Sequence, residues 1–162
     1  MAADQLTKFV VRTNIPYLDS ITVWPGCFNI THLGNTGAAW GWFEGQNTAL
    51  IVLSFFTLAV MFYFRKSFAS SQPLQKVAWG LILGGIFGNL IDRIWHGRVI
   101  DFLDFYWYFD SEAKHWPAFN IADSGICIGA FLYIISALWQ PKPKPSTPPP
   151  ETPAPELASE QK

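Results

Sequence analysis

Three long apolar runs constrain this chain more than any other feature of its sequence. They cover about residues 48–64, 74–94 and 119–139. A run of about 20 mostly apolar residues is long enough to cross a bilayer as a single α-helix. The runs therefore predict an all-α membrane protein with three full spans, each crossing the membrane once.

The composition agrees with this interpretation. Half of the residues are hydrophobic, only 14% are charged, and the charges lie mainly outside the apolar runs, as in membrane proteins. The formal net charge of −1 gives no indication of nucleic-acid binding. Cys27 and Cys127 are expected to be unpaired thiols, and His32, His96 and His115 are too widely spaced to predict a metal site. We expect neither a metal nor a cofactor.

The cations predict the orientation in the membrane. They cluster between the first two runs and after the third, at Arg65, Lys66, Lys76, Lys142 and Lys144. By the positive-inside rule these segments face the cytoplasm, so the segments at 17–46 and 95–117 face outward. The Pro-rich tail at 141–162 has almost nothing to bury and is predicted to be disordered in the cytoplasm.

Two outward segments have their own patterns. From about Ser20 to Trp42, short β-branched runs interrupted by Pro-Gly predict a small extracytoplasmic strand element. From Tyr106 to Trp116, aromatic and charged residues alternate, which is typical of a piece lying at the membrane interface. That piece is interpreted either as a lid or as a static anchor.

Three aspartates lie in or next to the apolar runs. Asp123 is inside the third run, Asp92 closes the second, and Asp101 follows shortly after it. An ionisable side chain within a span costs at least about 2.5–3.5 kcal/mol, so it indicates a partner or a function. Two carboxyls held close together in a dry site share a proton and can activate water, as in aspartic proteases.

Each of these residues also has a purely structural interpretation. Asp123 could pair with Arg93, and Asp101 could cap a helix or lie in a solvated loop. For Asp92, a helix-terminal ion pair with Arg93 is the favoured interpretation. Asn89 and Asn120 could be helix caps. A further group of small residues in the second span predicts close helix packing: Gly84, Gly85 and Gly88.

A series of motifs resembles one known family closely. The series runs Asp4 to Lys8 (DQLTK), Asn35 to Trp40 (NTGAAW), Gly88 to Arg93 (GNLIDR), Val99 to Phe102 (VIDF) and Phe119 to Ser124 (FNIADS). In order and spacing it is similar to the motifs of the lipoprotein signal peptidases, or signal peptidase II, a family of aspartic peptidases. Five motifs in series make the resemblance specific.

The resemblance implies a function and a set of site residues. It implies an endopeptidase of the bacterial cytoplasmic membrane that cuts diacylglyceryl-modified prolipoproteins before the lipidated cysteine, with its site near the outer surface. Asp101 and Asp123 match the catalytic aspartates. The positions that support the site or bind substrate match Asn35, Asn89, Asp92, Arg93, Asn120, Ala122, Asp4 and Lys8.

The resemblance also implies four transmembrane helices, of which the first is expected to be truncated. Only three residues precede Asp4, whereas a span needs about 20. We therefore expect a membrane-embedded peptidase domain over residues 1–140, with a partial first span at about 1–16. We expect the partners to be prolipoprotein substrates and membrane lipid, and the protein to be a monomer.

Two other functions remain open from the residues alone. Intramembrane acids can relay protons, which would indicate a proton-coupled transporter or channel subunit. The acids lie near one end of the spans, whereas a relay needs polar groups distributed across the bilayer. A non-catalytic membrane scaffold would account for the tail but not for the acids and asparagines.

Overall fold

A computed structural model describes residues 1–38, 42–68 and 72–139 of the chain. The tail predicted to be disordered, 141–162, lies outside the described residues. Within the described ranges the elements follow one another as α1 (Ala2–Asn14), β1 (Ser20–Trp24), β2 (Phe28–Asn35), α2 (Asn47–Tyr63), α3 (Arg65–Phe68), α4 (Pro73–His96), β3 (Val99–Phe109), β4 (Glu112–His115) and α5 (Ile121–Leu138).

The long helices coincide with the apolar runs. The helices α4, with 24 residues, and α5, with 18, are long and apolar enough to cross a membrane, and α2 is a shorter apolar helix of 17 residues. Many of the large apolar side chains on these helices are exposed in the isolated chain, including Phe56, Phe131 and Ile134. Such a surface matches a lipid environment better than water. The helical part of the prediction is therefore confirmed for α4 and α5.

The predicted fold, an all-α membrane protein with a small extracytoplasmic strand element, is confirmed in part, because the sheet is larger than that element. The four strands form one antiparallel sheet in the order β1-β2-β3-β4. The predicted strand element accounts for β1 and β2, but β3 was not predicted. Its sequence is rich in β-branched and aromatic residues, which favour strands, yet Asp101 and Asp104 interrupt the apolar pattern.

The interfacial segment is a β-hairpin. Tyr106 to Phe109 on β3 pair with Glu112 to His115 on β4. The two turn residues between them, Asp110 and Ser111, both have positive φ, at 49° and 67°. Positive φ at both central positions is the geometry of a type I′ turn, whose twist matches that of the flanking strands.

Small residues allow α4 to pack closely on α5 and α1. A Cβ atom at Gly85 would meet the carbonyl oxygen of Ala122, and one at Gly88 would lie 2.6 Å from Asp4 Oδ2. The predicted close packing is thus confirmed at these two glycines. Because the helix backbones lie so near each other, polar groups on α1, α4 and α5 can reach one another directly.

The sheet lies at one end of the helices. The chain enters or leaves it from the end of α1, the start of α2, the end of α4 and the start of α5. A small apolar core, Val11, Ile15 and Phe102 with Ile30, Leu103 and Ile121 against it, joins α1, the sheet and α5. This core sets β3 directly beside the first turn of α5.

Candidate active site

Asp101 is a buried residue of β3. It is 3% exposed, so the interpretation as a cap or a solvated loop residue is wrong. Both oxygens of its carboxyl accept hydrogen bonds, Oδ2 from Asn35 Nδ2 at 3.0 Å and Oδ1 from Asn120 Nδ2 at 2.7 Å. Burial, and next the charge of Asp123, raise the pKa of Asp101 to about 7, against the opposing effect of the two amide donors.

A bulge in the sheet sets the position of Asn35. Ile30 pairs with Leu103, but Leu33 pairs with Asp101, so β2 advances three residues while β3 advances two. An extra residue in one strand re-aims the side chains beyond it. Past this bulge, Asn35 at the end of β2 donates to the carboxyl of Asp101.

Asp123 lies in the first turn of α5. Its Oδ1 accepts from Asn89 Nδ2 at 2.7 Å, and its Oδ2 accepts from the backbone N–H of Asn120 at 3.2 Å. The side chain of Asn120 in turn accepts from the Asp123 N–H at 3.0 Å, which completes a capping box. Among the described residues no ion pair joins Asp123 to Arg93.

Asn120 combines a structural and a site role. It is the N-cap of α5, as its structural interpretation predicted, and it is fully buried. Its Oδ1 faces the backbone of α5 while its Nδ2 donates to Asp101. One amide therefore fixes both carboxyl groups relative to each other. Asn89, by contrast, is not a cap, because it lies within α4 and contacts Asp123 and Lys8.

Both aspartates line one cavity of about 700 Å³. Asn35, Asn89 and Arg93 share its wall with them. The cavity also runs along the first turns of α5 to Cys127. Two carboxyl groups on different elements, one buried and one half-buried, thus face a common space large enough for a peptide segment, which is an arrangement suited to acid–base hydrolysis.

A buried lysine lies behind this cavity. Lys8 Nζ is 3.0 Å from Asp4 Oδ2, 2.8 Å from Asp92 Oδ2 and 3.0 Å from Asn89 Oδ1. The ion pair predicted between Asp92 and Arg93 is therefore wrong, since Lys8 is the partner of Asp92. Through Asn89, which accepts from Lys8 and donates to Asp123, this cluster is connected to the cavity.

The cluster also holds the start of α5. Asp4 Oδ1 accepts from the backbone N–H of Ala122 at 2.9 Å, and Asp92 Oδ2 accepts from that of Ile100 at 3.2 Å. Ala122 is 2% exposed and lies against the space above Gly88, where a larger side chain would not fit. Gln5, which was not predicted as a site residue, donates to Asp92 Oδ1 at 2.9 Å.

Arg93 fixes the loop after β2. Its guanidinium donates to the carbonyl of Gly37 at 2.6 Å and to Asn47 Oδ1 at 3.4 Å, while Asn47 Nδ2 donates back to the Arg93 carbonyl at 3.1 Å. The arginine thus joins α4, the 35–38 segment and the start of α2. Sequence reasoning did not single out Asn47, whose only signal was its position just before an apolar run.

The described residues offer no evident metal centre. Within 1–38, 42–68 and 72–139, no group of three or more His, Cys, Asp or Glu side chains could hold an ion. The catalytic candidates are instead surrounded by amide donors, which suit carboxyl groups that exchange protons.

The fold is that of a membrane enzyme. It is similar to a bacterial membrane enzyme solved by the in meso method at 2.3 Å resolution, with a TM-score of 0.74 and 37% sequence identity over 85% of this chain and 81% of that one. A second such structure, at 1.9 Å resolution, gives a TM-score of 0.72 at the same identity over 86% of this chain and 88% of the other. The helices that can cross a bilayer agree with this class.

The chain belongs to the signal peptidase II family, which it matches over residues 1–139. It is 42% identical to a lipoprotein signal peptidase of Nitratidesulfovibrio vulgaris over 150 residues, covering 89% of this chain and 87% of that protein. It is also 38% identical to the lipoprotein signal peptidase of Haemophilus influenzae over 148 residues, covering 87% and 82% of the two chains. The protein is therefore a peptidase, and the family resemblance of its motifs is confirmed.

Proposed function

We propose that this protein is an aspartic endopeptidase that removes signal peptides from diacylglyceryl-modified prolipoproteins, cutting just before the lipidated cysteine. The observation that carries the proposal is that Asp101 and Asp123, from separate elements, line one cavity, in which Asp101 is buried and Asp123 half-buried. Membership of the signal peptidase II family supports the choice of substrate.

The proposed mechanism is general acid–base hydrolysis by the two aspartates. With its pKa raised to about 7, Asp101 holds the proton that the pair shares near neutral pH. Asp123 then acts as the base and deprotonates a water, which attacks the scissile carbonyl carbon. Asp101 donates its proton to the carbonyl oxygen, which gives a tetrahedral gem-diol. As the C–N bond breaks, Asp123 passes the proton it took from water to the departing cysteine amine, and Asp101 takes back a proton from one of the two hydroxyls, which restores the pair. No covalent intermediate is required.

The amide side chains keep the two carboxyls apart and oriented. Asn35 and Asn120 each hold one oxygen of Asp101, and Asn89 holds one oxygen of Asp123. Groups that are already oriented need no reorganisation during the reaction, which is a large part of enzymatic rate enhancement. Lys8, Asp4 and Asp92 support this arrangement by fixing Asn89 and the first turn of α5.

The orientation in the membrane is part of the proposal. We place the protein in the bacterial cytoplasmic membrane with the sheet and the two aspartates at the extracytoplasmic side. Lys66 and Lys76 flank the connection at the opposite end of α2 and α4, which supports a cytoplasmic position for that end. A proton-relay function fits less well, because the buried acids are concentrated at the sheet end.

A reconstituted cleavage assay tests the proposed function. In lipid vesicles, the purified protein is expected to release the signal peptide from a diacylglyceryl-modified prolipoprotein, with the new N-terminus at the modified cysteine by mass spectrometry. The matched control is the same precursor without the lipid, which we expect to remain uncut. Equal cleavage of both precursors, or cleavage at another bond, would contradict the proposal.

The pH dependence of cleavage follows from the pKa of Asp101. The mechanism needs Asp101 protonated, so kcat/KM is expected to fall as pH rises through about 7, with a slope approaching tenfold per pH unit. Asn35 donates to the ionised form and so lowers the pKa of Asp101. In Asn35→Ala this pKa is higher, and the descending limb of the pH profile should move to higher pH. A limb that stays in place or moves to lower pH would show that another group controls it.

A further inference from the structure

Two exposed arginines lie close together at the sheet end of the helices. Arg12 is in the last turn of α1, and Arg98 follows the end of α4 by two residues. Arg12 Nη1 donates to Nε2 of His96, the last residue of α4, at 2.7 Å. Between His96 and Arg98, Gly97 ends the helix with a φ of 70°, and the charges of both arginines act on the His96 ring. We call Arg12, His96 and Arg98 the arginine patch.

In the described part of the chain, neither arginine of the patch has a carboxylate partner, since no salt bridge there involves Arg12 or Arg98. Two other cations at this end are compensated. Lys8 lies between two buried aspartates, and Lys114 pairs with Glu112 at 2.7 Å. Like charges repel each other, so an anion that binds both arginines is favoured.

Both guanidinium groups are held in place by contacts that leave donors for a ligand. Arg12 uses one nitrogen for the histidine ring. Arg98 lies over the ring of Tyr17, with its Cζ 4.6 Å from the ring centroid, and its stem packs against Gly34, where a Cβ atom would meet Arg98 Cδ. A guanidinium has five N–H donors, and stacking on an aromatic face leaves its edge open. The two groups can therefore bind the oxygens of an anion without giving up these contacts.

The neighbouring side chains put the patch at the headgroup level of a bilayer. Phe9 on α1, one turn before the patch, is exposed, and so are Ile94 and Trp95, which precede it on α4. Exposed apolar side chains on helices of this kind face acyl chains, and Trp collects at the boundary between acyl chains and water. The patch lies at the helix ends, just beyond these side chains, where phospholipid phosphates are found.

Neither the proposed orientation nor the proposed mechanism accounts for the two arginines. The sheet end faces outward, whereas the positive-inside rule concentrates Lys and Arg at the other end of the helices. Arg12 and Arg98 are also not wall residues of the catalytic cavity. Gly34, against which Arg98 packs, does line that cavity, so the patch lies beside the active site but outside it.

We propose that the arginine patch binds the phosphate group of an anionic glycerophospholipid in the outer leaflet of the membrane. The phosphate oxygens accept hydrogen bonds from both guanidinium groups, which match phosphate in geometry and charge. The acyl chains of the lipid lie along the exposed apolar side chains of α1 and α4. This inference goes beyond the proposed function and takes from it only the orientation in the membrane.

Lipid binding by the purified full chain tests the patch. In neutral detergent micelles we titrate phosphatidylglycerol, with phosphatidylcholine as the lipid without net charge, and count bound lipids by native mass spectrometry. One arginine near an anionic headgroup contributes about fivefold in affinity, so Arg12→Gln and Arg98→Gln should each weaken the tightest phosphatidylglycerol site by that factor. The double variant should weaken it by about 25-fold, the product of the two effects, and leave phosphatidylcholine binding unchanged.

The matched control removes two positive charges from the opposite end of the helices. Lys66→Gln combined with Lys76→Gln, both at exposed positions, should leave the tightest phosphatidylglycerol site unchanged. Equal losses in the two double variants would show attraction by net charge alone and would overturn the proposal. An arginine double variant that binds phosphatidylglycerol like the unaltered protein would also overturn it.

A soluble headgroup separates a lipid site from a general phosphate site. Glycerol 1-phosphate carries the same phosphate chemistry without acyl chains, and at a concentration equal to that of the lipid it should not displace phosphatidylglycerol. Displacement at equal concentration would make the patch a site for soluble phosphates and would overturn the assignment to a lipid. None of these measurements requires cleavage of a precursor, so a failure of the proposed peptidase function is detected separately, by the reconstituted assay.

Discussion

Replacing Asp101 or Asp123 by Asn is expected to reduce kcat for a lipid-modified precursor by about 10²–10⁴-fold, the range that a positioned acid or base contributes. Each substitution keeps the shape of the side chain and removes the group that transfers the proton. Both positions already accept hydrogen bonds from neighbouring amides, so a carboxamide can rotate to retain at least one of them. The loss should therefore appear in turnover rather than in folding.

The control for these two substitutions is an aspartate outside the Asp101–Asp123 pair. Asp110 in the β3–β4 turn is exposed, and its backbone has a positive φ, in the left-handed region that Asn also tolerates. Asp110→Asn is expected to cleave at the rate of the unaltered enzyme. Thermal unfolding in detergent, followed by circular dichroism, provides the folding check for all three variants. Turnover by either Asp101→Asn or Asp123→Asn within tenfold of the unaltered enzyme would exclude the paired-acid mechanism.

The sequence predicted best those parts of the fold that depend on a single helix. The apolar runs placed α4 and α5 because length and hydropathy suffice to define a spanning helix. The sheet was harder to predict. In β3 the aspartates at 101 and 104 break the alternation expected of a strand, and both are tolerated only because partners from β2, β4 and the start of α5 satisfy them. Those partners belong to the tertiary fold.

The error at Asp92 has a similar cause. Its neighbour in sequence, Arg93, looked like a natural ion-pair partner, but adjacent residues on a helix do not face each other. Asn89 lies three residues before Asp92 and so shares its face, and both reach Lys8 on α1. Arg93 points instead towards Gly37 and Asn47. The helical period alone could have separated these two faces, but only the fold could supply the lysine.

The motif series identified the site residues without their geometry. It included Asp4 and Lys8, whose role no local pattern explains, since they lie more than 80 positions before Asn89 and Asp92 in the chain. The structure brings all four together because α1 packs where Gly88 leaves room for Asp4. The cluster of Asn29, Asp104 and His115 had no sequence signal, because these are ordinary strand residues until the strand register brings them together.

Replacing Lys8 by Met is expected to lower the free energy of unfolding by about 3–5 kcal/mol, the usual effect of removing one partner from a buried ion pair. Lys8 is 1% exposed, and its partners Asp4 and Asp92 are 0% and 1% exposed, so two carboxylates would lose their counter-charge away from water. Denaturant titration in mixed micelles measures the change. Lys76→Met, at an exposed position of α4, is the control and should be nearly neutral.

The effect of Lys8 on stability and its effect on catalysis can be measured separately with a triple variant. Combining Lys8→Met with Asp4→Asn and Asp92→Asn removes all three charges, and a neutral cluster of similar volume is expected to recover most of the lost stability. The asparagines can still accept from the backbone N–H groups of Ala122 and Ile100. Activity should nevertheless stay low, because Asn89 Oδ1 no longer has the donor that holds its Nδ2 on Asp123. If the triple variant regains full turnover together with its stability, the lysine acts only as a structural counter-ion, and the orientation of Asn89 does not depend on it.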